Sequence, residues 1–66
     1  MTTSAASKLF TQALKKIESD SIRTWARRQR PQWVKIIKTL NYEHGDYSEV
    51  NAPTKLATHI TLTAMG

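Results

Sequence analysis

Six cationic side chains, Arg23, Arg27, Arg28, Arg30, Lys35 and Lys38, fall between Ser21 and Tyr42 with no carboxylate among them. All five acids stand outside that window: Glu18 and Asp20 before it, Glu43, Asp46 and Glu49 after it. Ordinary surface helices intersperse Glu with Lys and gain about 0.2–0.5 kcal/mol per pair. This block forgoes that gain and accepts self-repulsion, which asks for an external anion; the commonest polyanion is nucleic acid. Arginine outnumbers lysine here, and its planar fork can take two phosphate or guanine acceptors at once. Gln29, Gln32 and Thr39 are the polar candidates for base edges or the sugar–phosphate backbone.

No other chemistry competes with this signal. The chain has no cysteine, so neither a disulfide nor a thiolate metal site is available. Glu43-His44-Gly45-Asp46 is the one cluster with metal-binding residue types. A functional site needs three or four convergent ligands, so no metal and no cofactor is expected. His59 stands alone among threonines, as a surface or partly buried residue. Nothing spaces a nucleophile, a base and an orienting group, and a thin core holds a preorganised catalytic constellation poorly. The chain does not read as an enzyme.

The cations need elements to carry them. At 66 residues the chain is one small domain, and a domain of that size buries only about 60% of its unfolded surface. Such a domain leans on a partner or on its own dimer for further burial. Its 39% hydrophobic content argues for folding rather than disorder. A net charge of +5 is high for so short a chain. No apolar run approaches the roughly 20 residues that cross a bilayer. Residues 1–17 lack acids and are rich in Ser, Thr and Ala, as organelle transit peptides are. Those peptides favour arginine, however, and the cations here are Lys8, Lys15 and Lys16. The expected location is cytoplasmic or nucleoid-associated.

Periodicity predicts a mainly α domain of three to four short helices. Residues 1–4 are polar and expected to fray. Ser4 or Ser7 is a candidate cap for a first helix to about Ser19. Its stripe of Ala6, Leu9, Phe10, Ala13, Leu14 and Ile17 has helical spacing. Glu18 to Ser21 reads as a break, with Asp20 or Ser21 as the next N-cap. Ile22, Trp25 and Ala26 form the second apolar face. Pro31 then either opens a third helix to about Leu40 or kinks one long helix. A proline inside a helix costs about 3 kcal/mol, which favours two helices. Trp33, Ile36, Ile37 and Leu40 would face inward. Asn41 to Pro53 is expected to be a loop, with Tyr42, Tyr47 and Val50 folding back onto the core. Thr54 to Met65 fits a strand through Leu56, Ile60, Leu62 and Ala64, with four threonines favouring extension. It also fits a helix through Leu56, Ala57, Ile60 and Ala64, capped by Thr54. A lone strand would lack a partner, so helix is favoured.

On this layout Arg23, Arg27, Arg28 and Arg30 point away from the apolar seam, as do Lys35 and Lys38. Two short helices with a cationic second member match a helix-turn-helix reader. The segment Ser21 to Arg28 resembles the recognition region of MerR-like and excisionase-like winged helices, which carry a similar pattern of Arg and Trp before a turn. The resemblance covers about ten of the 66 residues. Gln29-Arg30 replaces the expected glycine at the turn, and the following wing hairpin is not evident. Trp25 and Trp33 lie on the apolar stripe, so core packing is favoured over stacking on unpaired bases.

The expected activity is therefore non-catalytic binding of nucleic acid, duplex DNA before RNA, as a small regulator or accessory factor. Its contact residues would be Arg23, Arg27, Arg28, Arg30, Lys35, Lys38, Gln32 and Thr39. The rival reading is an adaptor or inhibitor whose basic face docks an acidic protein. A basic helix lying on an anionic membrane is a third reading, disfavoured because the core needs the apolar stripe.

Overall fold

A computed structural model describes residues 2–40 and 51–66. They form four helices: α1 (Thr3–Lys16), α2 (Asp20–Arg28), α3 (Arg30–Leu40) and α4 (Ala52–Met65). The expectations for the Leu40 side chain and for 41–50, with Tyr42, Tyr47, Val50 and the His44 cluster, lie outside the described residues. Among the described residues there is no strand, and so no wing hairpin.

α1 is the central element and packs against both α3 and α4. The stripe read from the sequence is its buried face, Ala6, Leu9, Phe10, Ala13 and Leu14, continued by Ile17 just past its end. The helix starts earlier and stops sooner than its periodicity suggests. Thr2, rather than Ser4 or Ser7, is the N-cap, its hydroxyl accepting the Ala5 N–H at 3.1 Å. Thr3 and Ser4 accordingly lie in the first turn of the helix. At the other end the helix stops at Lys16, and Ile17 turns extended while its N–H donates to the Leu14 carbonyl at 3.2 Å. Lys15 and Lys16 occupy the last turn, where cations oppose the negative end of the helix dipole.

Ser19, one residue before the expected candidates, caps α2 by accepting the Ile22 N–H at 3.4 Å. Asp20 then sits inside the first turn, where a carboxylate is favoured by the dipole. α2 ends at Gln29, and Pro31 supplies the reason. Continued as a helix, the proline ring would clash with the Arg27 carbonyl and offer it no donor. Gln29 instead takes φ −106°, ψ 21°, and its own N–H turns back to the Ala26 and Arg27 carbonyls. The Gln29 carbonyl in turn accepts the Trp33 N–H at 3.1 Å, so one residue closes α2 and opens α3. Two helices are thus present, and the second begins at Arg30, with Pro31 in its first turn where a missing N–H costs nothing.

The threonine-rich tail is a helix throughout. Thr58, Thr61 and Thr63 donate their hydroxyls to the carbonyls of Thr54, Ala57 and His59, four residues earlier, at 3.1, 2.8 and 2.8 Å. That back-bonding satisfies the hydroxyls without leaving the helix. Thr54 lies inside α4 and does not cap it; Asn51 holds the cap position without a side-chain bond. Ala52, Leu56, Ala57 and Ile60 are buried, whereas Leu62 is 65% exposed, as the helical stripe requires and the strand alternation does not.

Trp33 joins three helices. It is buried to 3% exposure, meets Trp25 of α2 edge-on at 6.4 Å and meets the exposed His59 ring of α4 edge-on at 5.4 Å. Such aromatic pairs add about 0.5–1.5 kcal/mol beyond area burial. Trp33→Ala is therefore expected to cost about 3–5 kcal/mol, most of the stability of a domain this small. Urea denaturation followed by circular dichroism measures it. A midpoint close to that of the parent would show that this ring is not the hub of the core.

Candidate nucleic-acid interface

Helical spacing sorts the residues of α3 into two faces. Arg30, Trp33, Val34 and Ile37 fall at i, i+3, i+4 and i+7, and all four are buried or half-buried. Gln32, Lys35, Ile36 and Thr39 repeat the same spacing on the outward side, are exposed, and line one shallow groove of about 380 Å³. Ile36, expected inside, is 37% exposed in that groove; Val34 takes the inward place that periodicity through Trp33 and Ile37 allows. On α2 the exposed set is Asp20, Ser21, Thr24, Arg27 and Arg28, opposite the buried Ala26.

The six cations separate accordingly. Arg30 does not project outward: it shares the inward spacing of Trp33 and Ile37. Its guanidinium lies over the Phe10 ring, 5.3 Å from the centroid. From there Nη2 donates to the Ser7 carbonyl at 3.2 Å, the Ser7 hydroxyl at 2.6 Å and the Thr11 hydroxyl at 2.8 Å. Thr11 completes the network by donating its own hydroxyl to the Ser7 carbonyl at 3.1 Å. Arg23 is also engaged, with its side chain only 32% exposed. It pairs with Asp20 at 2.6 Å and donates from Nη2 to the Ile17 carbonyl at 2.7 Å, closing the corner between α1 and α2. The Asp20 side chain is 89% exposed, so the ion pair itself contributes about 0–1 kcal/mol. Lys38 is exposed but reaches the Thr3 hydroxyl at 2.9 Å.

Arg27, Arg28 and Lys35 remain. They are exposed, and their side chains make no hydrogen bond or ion pair with any other described residue. With Gln32 and Thr39 they are the outward members of the expected contact set. Thr39 keeps its hydroxyl on the Lys35 carbonyl at 3.0 Å, leaving its oxygen as an acceptor. Thr3 and Thr11, which hold Lys38 and Arg30, carry no motif in the sequence, and Ser7, a cap candidate there, serves instead as an acceptor for Arg30. The signal for them was the spacing of Arg30 to Trp33, Val34 and Ile37, which turns that arginine toward α1.

Among the described residues no three His, Cys, Asp or Glu side chains converge, and no helix is long and apolar enough to cross a membrane. Compared with protein-family models, curated proteins and solved structures, the chain matches none. Its surface must therefore be read from its own chemistry.

The division of the cations has a measurable consequence. Arg30→Gln removes a donor to three acceptors and the cover over Phe10, and is expected to cost about 1–3 kcal/mol of folding stability. Replacing Arg27 and Arg28 with Ser should move stability by no more than about 0.5 kcal/mol. Parallel urea titrations test the contrast, and equal losses in the two variants would remove the distinction between anchored and available cations.

Proposed function

We propose that the protein binds nucleic acid without catalysis, duplex DNA before RNA, through the outward face of α2 and α3. The observation that supports this most is the set of three exposed cations, Arg27, Arg28 and Lys35, with no described carboxylate paired to them. Unpaired like charges on one small domain raise its free energy until an anion neutralises them, and phosphates do so while releasing their condensed counterions. Gln32 and Thr39 flank Lys35 on the groove of α3, where a helix in the major groove would present them to base edges. Ile36, exposed between them, offers an apolar contact for a thymine methyl. The link of one residue at Gln29 is shorter than the three to four residues of a helix-turn-helix, so the exposed face of α3 carries this reading rather than the turn. Such a protein would act as a small regulator or accessory factor, in the cytoplasm or on the nucleoid.

Fluorescence anisotropy against labelled duplex DNA, single-stranded DNA and RNA over a range of salt is the direct test. Exchanging Arg27, Arg28 and Lys35 together for Ser is expected to lower duplex affinity at least about tenfold. The salt slope should flatten by about 0.9 for each phosphate the variant no longer neutralises. Absence of binding to all three ligands at low salt would sink the proposal and leave an acidic protein surface as the partner for this face.

A further inference from the structure

Two of the cations that the outward face lacks meet again elsewhere. Arg30 and Lys38, together with Lys35, line a second cleft of about 380 Å³ between α3 and the start of α1. Thr3 and Ser7 form its α1 wall, and Pro31 and Val34 supply apolar surface. Three cations and two hydroxyls thus converge on one cavity that no described carboxylate lines.

The hydrogen bonds already present leave capacity for a ligand. Arg30 commits Nη2 to α1; its Nη1 and Nε donate to no described residue. The Ser7 and Thr3 hydroxyls accept from Arg30 and Lys38 respectively, so each retains its own proton to donate. Two ammonium groups and a guanidinium call for more than the single charge of a carboxylate. Apolar walls strengthen charge-assisted hydrogen bonds by lowering the local dielectric. We infer that the α1–α3 cleft is a binding site for a phosphate group. Lys38 and Lys35 supply the charge, Arg30 supplies its free edge, and the Thr3 and Ser7 hydroxyls donate to the remaining oxygens.

Two sources carry that chemistry: a free phosphate compound, and the backbone or end of a nucleic acid. Lys35 lines both this cleft and the outward groove of α3, so a strand lying along α3 would reach the cleft with a neighbouring phosphate. Only in that nucleic-acid form does the inference rest on the function proposed above.

Titration of the full chain with pyrophosphate, followed by amide nuclear magnetic resonance at constant ionic strength held with sodium chloride, tests the site. The expected result is saturable shifts centred on Thr3, Ser7, Lys35 and Lys38, with a Kd below about 1 mM. Lys38→Gln and Lys35→Gln should each weaken binding at least about fivefold while retaining native amide dispersion. Lys15→Gln, at the far end of α1, should leave it unchanged. A second titration with a duplex, with and without 5′-phosphates, identifies the source: shifts of the same amides only with the duplex would assign the site to nucleic-acid phosphate. Shifts that never saturate, that chloride reproduces, or that survive both lysine substitutions would overturn the inference. Arg27→Ser with Arg28→Ser keeps the failures apart. That variant retains pyrophosphate binding whether or not duplex binding disappears, because neither arginine lines the cleft.

Discussion

The guanidinium of Arg30 sets the arrangement of α1 and α3, and with it the distribution of charge over the molecule. Its position follows from backbone chemistry one residue away. Pro31 cannot continue α2, so the chain breaks at Gln29 and restarts with Arg30 on the face that also carries Trp33 and Ile37. A cation brought against a fully buried Phe10 must recover the hydration it gives up. It does so on Ser7 and Thr11, polar residues one helical turn apart that border the apolar stripe of α1. The arginine is thereby structural for a reason that its charge alone would not suggest: position on the helix outweighs residue type.

Legibility in the sequence followed the strength of the periodic signal. Every member of the α1 stripe is buried, because six apolar residues at uniform helical spacing leave no competing face. Helix ends were less legible. The first seven residues include Thr2, Thr3, Ser4 and Ser7, each able to cap, and residue type alone does not choose among them; Thr2 holds the cap. In the tail, threonine propensity pulled toward a strand, while burial of Leu56, Ala57 and Ile60 required a helix. Tertiary packing decided, and the hydroxyls adapted by bonding back to the preceding turn.

The cationic block was legible as a block and less so as a surface. Charge counting treats six cations alike. The fold assigns Arg23 to the α1–α2 corner and Arg30 to the α1–α3 seam, and only spacing relative to the buried residues separates these from Arg27, Arg28 and Lys35. Ile36 shows the same limit from the apolar side. Beside Ile37 it reads as core, yet adjacent residues on a helix lie about 100° apart, so Ile37 is fully buried while Ile36 is 37% exposed.

That division also explains how a domain with so small a core can carry an unbalanced surface. Among the anchored cations Arg23 is paired with the Asp20 carboxylate. Arg30 and Lys38 are held by neutral hydroxyl and carbonyl acceptors that replace hydration but leave their charge in place. The exposed ones act at long range through solvent, where salt screens them within about 10 Å at 0.1 M. A ligand that binds the folded chain through such charges stabilises it by mass action, since the unfolded chain disperses the same residues. If the proposed anion binding holds, folding stability and binding would be linked through Arg27, Arg28 and Lys35, and through Arg30 and Lys38 at the α1–α3 cleft. The cations that hold the two helices together leave their remaining donors facing the same opening, so an anion seated there would reinforce the packing that creates its site.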